Sequence, residues 1–158
     1  MSSLPSKNPR RRLDQVRFEN TVVIERPAAE VFAFLADLEN VPRWNYAIES
    51  TRKISEGPVG VGTTYRQTRT IPSRSEESLE VTDLEPDRRF AVRGDLGPFH
   101  GTLTYQLEPA GEATRLVNTA DLEARGVMKL AAPLAGGRVR DAVAANLLEL
   151  KRFLEAKA

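Results

Sequence analysis

The chain has 158 residues, the length of one domain with a sizeable apolar core. It contains no cysteine and one histidine, which excludes a disulfide framework, a thiol nucleophile and a Cys/His metal cluster. Lys and Arg total 23 against 22 Asp and Glu, so no global field points to nucleic acid or an anionic membrane as a partner.

Residues 1–16 read as a polar, disordered tail with the basic cluster Arg10-Arg11-Arg12 and no apolar stretch of the kind a signal peptide needs. Those arginines are read as a solvated leader, with electrostatic docking on a lipid surface or an acidic partner as the functional alternative. Residues 17–158 read as a single domain. No apolar run is long enough to cross a bilayer, so a soluble protein without stable membrane insertion is expected, and the absence of cysteine suits a reducing, cytoplasmic location.

In the first strand, Phe18, Asn20, Val22 and Ile24 share one face. Pro27 stops it, and Val31, Phe34 and Leu35 recur at helical spacing directly afterwards. Asp37 and Asn40 are capping residues around a break into a second short helix that ends near Trp44. From Tyr46 onward the period becomes two. Ile48 and Ile54 fall in one strand, and Tyr65, Gln67, Arg69 and Ile71 share a face of the next, with Gly57, Gly60 and Gly62 punctuating the turn between them. That turn lacks a Gly-Lys-Ser/Thr sequence and a following helix, so it reads as a hairpin connection and not a phosphate loop.

Leu79 and Val81 mark the next strand, Phe90, Val92 and Gly94 the one after, and Phe99, Gly101, Leu103, Tyr105 and Leu107 the next. The last strand places Leu116, Asn118, Ala120 and Leu122 on one face. Short turns between successive strands describe an antiparallel meander. In the tail from Val127, Pro133 and Gly136-Gly137 are expected to separate a leading segment from a main helix whose stripe is Val139, Val143, Leu147, Leu150 and Leu154. The fold class is therefore α+β: a curved antiparallel sheet of about seven strands around a long C-terminal helix, with two short helices after the first strand.

The run Val22-Val23-Ile24-Glu25-Arg26-Pro27-Ala28-Ala29-Glu30-Val31-Phe32, followed by Asp37 and by Pro42-Arg43-Trp44, resembles the start of the START-like (SRPBCC) superfamily of helix-grip proteins. Gly57-Pro58-Val59-Gly60-Val61-Gly62-Thr63 resembles that superfamily's glycine turn, and the C-terminal helix its closing element. The superfamily includes polyketide cyclases and aromatases, coenzyme Q-binding proteins, Bet v 1-type lipid carriers and Hsp90-activator-like domains. The resemblance implies an internal hydrophobic cavity, a wall position for Trp44, and an entrance guarded by the segment carrying Met128 and Leu134, which Pro133 and the two glycines would let move.

Polar residues on otherwise apolar faces are the candidates for ligand contact, because a buried polar group needs a partner. They are Gln67, Arg69 and Asn118, with the phenols of Tyr65 and Tyr105. Phe90, Phe99, Leu103 and Leu116 supply the greasy wall. For Arg69 the alternative is a structural pair with Glu76 or Glu77, and His100 reads as a surface or strand-end residue without a partner to orient it. Arg125, Arg138 and Arg140 flank the entrance and are read as solvated charges, or as captors of a ligand carboxylate.

The leading functional expectation is a carrier, sensor or store for a hydrophobic or aromatic small molecule, with no cofactor and no metal. The second is a polyketide cyclase/dehydrase-like enzyme in which Tyr65, Arg69 or Tyr105 polarises a carbonyl. The third is an Hsp90-activator-like interaction module. Oligomeric state, monomer or homodimer, cannot be read from one chain.

Overall fold

Alternation of large apolar and polar residues makes β1 (Gln15–Ile24), which buries Val16, Val22 and Ile24 on one side. Its N-terminal end lies inside the expected tail, because Gln15 and Val16 pair with Glu123 and Leu122 of the last strand. The computed structural model describes residues 14–157, with only the backbone at Val127 and Pro133. Arg10, Arg11 and Arg12 lie outside the described residues.

After Pro27, α1 (Ala28–Leu35) buries Val31, Phe32, Phe34 and Leu35. A 3-10 helix (Leu38–Arg43) follows, and the expected caps hold the junction. The Asp37 carboxylate accepts from the Glu39 amide at 3.1 Å, and Asn40 Nδ2 donates to the Phe34 carbonyl at 3.1 Å. The strands β2 (Ile48–Lys53), β3 (Thr64–Arg69), β4 (Ser75–Glu85), β5 (Arg89–Leu96), β6 (Phe99–Ala110) and β7 (Ala113–Ala124) form one antiparallel sheet with β1, in the order β1-β7-β6-β5-β4-β3-β2. Ile54 and Ile71 fall just beyond β2 and β3 and are half exposed, so the alternation ran one turn too far at each place.

A second 3-10 helix (Gly126–Leu130) leads into α2 (Ala132–Glu155), which is continuous through Gly136 and Gly137. The expected split is therefore displaced: Pro133 sits in the first turn, where its fixed φ suits a helix and its missing N–H costs nothing. Two interior glycines weaken a helix by about 1 kcal/mol each relative to alanine, which packing of the apolar stripe offsets.

The core is divided. The larger cluster joins α1, the 3-10 helix after it and the sheet to Leu147, Leu150 and Leu154 of α2, all three at most 1 % exposed. The smaller lies under the first half of α2 and contains Val16, Phe99, Ala120, Leu122, Ala124 and Ala132. Leu96 and Leu103, only partly buried, pack against both.

Candidate functional site

A cavity of about 60 Å³ lies beside the larger cluster. The helix pair contributes Leu35, Leu38, Val41 and Trp44, and the sheet contributes Ile48, Leu79, Val92, Leu96 and Leu103. Gln67, Arg69, Tyr105 and Asn45 are its polar lining. Its lining comes from the helix pair and the sheet, and among the described residues none of α2 is part of it. A larger groove of about 310 Å³ runs outside, between Gln15–Phe18 of β1 and the first half of α2. Its arginines, Arg17 and Arg140, are mostly exposed and it holds none of the buried polar groups described below, so the inner cavity is where specific chemistry is concentrated.

Strand β3 alternates, and the same alternation that buries Tyr65 carries Gln67 and Arg69 to the inner face. There they meet Glu77 of β4, whose cross-strand partner is Gln67. Gln67 Nε2 donates to Glu77 Oε1 at 2.8 Å and Arg69 Nε to Glu77 Oε2 at 2.9 Å. The Gly97 amide donates to the same Oε2 at 2.5 Å, and Thr51 Oγ1 donates to Gln67 Oε1 at 3.3 Å. Glu77 is 2 % exposed, and this carboxylate ties β2, β3, β4 and the tip of the β5–β6 hairpin together. A buried charge persists only when paired and hydrogen-bonded in this way. Sequence reading named Glu77 only as one of two partners for Arg69. Its alternation with Leu79 and Val81 was the signal that it faces inward.

Arg69 uses only its Nε in that pair. Among the described residues its two terminal nitrogens have no hydrogen-bond partner, and the side chain lines the cavity. Tyr105 likewise lines the cavity without a protein partner for its hydroxyl among the described residues, its ring stacked on Phe90 with centroids 6.4 Å apart. Burial holds the Tyr105 hydroxyl strongly in its neutral form, as a donor.

The other expected contact residues are placed differently. Tyr65, Phe90, Leu116 and Asn118 are buried in the core behind the lining. Phe99 and Met128 belong to the smaller cluster. Leu134 is 84 % exposed, because in the first turn of α2 it is Ala132 and Ala135 that meet the sheet. Three buried side-chain atoms lack a partner among the described residues: Trp44 Nε1, Tyr65 Oη and Asn118 Oδ1. His100 is half exposed beside Asp95, 3.2 Å from its carboxylate, which Arg125 also contacts.

Burial, followed by the nearby Asp37 and Glu39 carboxylates, pushes Tyr65 up to about 12; the Leu38 backbone opposes this without completing a hydrogen bond. Below the ordinary tyrosine value near 10 both states are neutral and the shift has no effect on stability. Above it the unfolded chain releases a proton that the folded chain keeps, so stability falls as pH rises from there through about 12. Urea unfolding from about pH 9 to about pH 11.5 should show a shallower loss in Tyr65→Phe than in the parent protein. Parallel curves would refute the assignment.

Comparison with known proteins bears on the family and the fold. A family described as polyketide cyclase / dehydrase and lipid transport matches residues 15–155. Among solved structures, the Zhui aromatase/cyclase of Streptomyces sp. R1128 superposes with a TM-score of 0.75 at 21 % identity, covering 89 % of this chain and 94 % of its own. A protein of Thermus thermophilus gives 0.73 at 22 % identity over 91 % of this chain and 99 % of its own. A START superfamily protein of Mycobacterium smegmatis gives 0.73 at 17 % identity over 90 % and 99 %. At these identities the likeness is one of fold. No curated protein matches the sequence.

Proposed function

The chain belongs to the polyketide cyclase / dehydrase and lipid transport family of START-like helix-grip proteins, and from that premise we propose that it binds a hydrophobic or aromatic small molecule bearing an oxygen acceptor. The observation that carries this reading is Arg69: a cation in an apolar wall, anchored through Nε and with its remaining donors unclaimed by the described protein. Such donors favour a carbonyl, enolate or carboxylate oxygen over an empty apolar space. The neutral Tyr105 hydroxyl offers a second donor in the same chamber.

At about 60 Å³ the cavity has the volume of roughly two waters, whereas ligand pockets run to about 300 Å³ and above. Binding therefore parts the walls. Leu96 and Leu103, partly buried, in the lining and packed against both clusters, are the side chains expected to give way.

A second reading, cyclase or dehydrase chemistry, is favoured by the same pair of donors, which would stabilise charge developing on a carbonyl oxygen. Native mass spectrometry with denaturing extraction tests binding. The expected result is a reproducible apolar or aromatic mass, held about three- to tenfold more weakly by Tyr105→Phe. A clean apo spectrum with no thermal shift from fatty acids, quinones or aromatic polyketides would overturn the proposal. Turnover of a poly-β-ketone that disappears on changing Tyr105 would move the assignment to the enzyme.

A further inference from the structure

The two most exposed large apolar side chains among the described residues are neighbours: Leu130, 91 % exposed, and Leu134, 84 % exposed. They lie four residues apart on either side of the junction where the second 3-10 helix runs into α2, and Arg138 follows Leu134 by one turn of α2. The stretch from Ala124 to Arg140 contains Arg125, Lys129, Arg138 and Arg140 and no Asp or Glu, in a chain whose overall charge is +1. Arg125 pairs with Asp95, and Arg140 lies 3.7 Å from Asp141. Lys129 and Arg138 are exposed and have no carboxylate within ion-pair reach among the described residues.

Two leucines held in water on a helical turn have an apolar cost that folding does not relieve, since Ala132 and Ala135 already supply that turn's contact with the core. We propose that this turn is a peripheral docking surface for an anionic lipid bilayer, with Leu130 and Leu134 entering the interface and Lys129 and Arg138 meeting the headgroups. Charge complementarity selects that occupant: a neutral apolar partner would leave the unpaired cations unexplained, while an anionic surface satisfies both. No helix among the described residues is long and apolar enough to cross a membrane, and the contact proposed is superficial and reversible. A short apolar insertion combined with basic residues has that character. The surface lies over the smaller cluster, and neither leucine nor either cation is among the residues that line the cavity.

Flotation of the full chain with vesicles of phosphatidylcholine alone, or of phosphatidylcholine with about one third phosphatidylglycerol, tests this at low and physiological salt. Expected is binding to the anionic vesicles that weakens with salt. It should fall about tenfold in Leu130→Ser/Leu134→Ser, and about fivefold for each of Lys129→Glu and Arg138→Glu. Leu148→Ser, which alters an exposed leucine elsewhere on α2, should bind like the parent. All these positions are exposed, so thermal unfolding should confirm an unchanged fold. No flotation with anionic vesicles at low salt would overturn the proposal. So would retained binding in the leucine variant, or binding lost instead on changing Arg10, Arg11 and Arg12 to Gln. Sedimentation showing that the leucines join two copies of the chain, with vesicles ignored, would overturn it in favour of a dimer contact.

Discussion

Gly101→Ala is expected to destabilise the protein by more than about 3 kcal/mol, and Gly94→Ala to do the same. The two glycines face each other across β5 and β6. A Cβ at Gly101 would stand 2.1 Å from the Asp121 carbonyl oxygen and 2.8 Å from Leu122 Cα; one at Gly94 would stand 2.1 Å from the Ser78 carbonyl oxygen. These obstacles are backbone atoms of the adjoining strands, which cannot rotate aside as a side chain could. Relief would require spreading the sheet where it folds over the core, with loss of ladder hydrogen bonds on both sides. For a chain of this size the loss should lower the melting temperature by roughly 10 °C. Gly60→Ala is the control, because nothing lies within 4 Å of its added Cβ and its φ is not positive. Melting of Gly101→Ala within a few degrees of that control would show that the strands can part cheaply.

The second large effect concerns Glu77. Removing this carboxylate in Glu77→Ala strands the Arg69 guanidinium, whose side chain is 13 % exposed, and deprives the Gln67 amide and the Gly97 N–H of their acceptor. Breaking one side of a buried ion pair costs about 3–5 kcal/mol, because the remaining charge stays desolvated. The double variant Arg69→Met/Glu77→Met removes both charges at similar volume and should recover most of that loss in urea unfolding. It should nevertheless fail to retain the ligand, since the free donors leave with Arg69. Stability and binding are thus separable at one site. A double variant as unstable as Glu77→Ala would mean that the hydrogen bonds to Gln67 and Gly97 matter more than the ion pair. A double variant that still carries its ligand would sink the role given to Arg69.

The pairing also explains why Arg69 could be read two ways. As a structural ion pair its Nε is consumed by Glu77, and as a ligand group its terminal nitrogens remain available to the cavity. Both readings describe different atoms of one side chain. Alternation along β3 tells which face Arg69 occupies, but it cannot distribute five N–H donors between a carboxylate on β4 and a cavity lined by the helix pair.

What the amino-acid order determined by itself is local. Period-two apolar patterns in seven stretches, Pro27 before Val31 and Phe34, the capping pair Asp37 and Asn40, and the stripe Leu147, Leu150 and Leu154 suffice for the strands, the helix pair, the closing helix and the family. Each depends on residues a few positions apart, where propensity and periodicity act directly. The tertiary structure decided the rest. Which inward residues line a cavity and which are sealed in the core depends on where the helix pair lands on the sheet, and that set Leu103 and Tyr105 apart from Phe90 and Leu116. It also placed Leu134 in solvent, since a helix with alanines toward the core must turn its leucine the other way. Burial and partnership are properties of contacts between distant segments, and a pattern with a period of two or four residues carries no record of them.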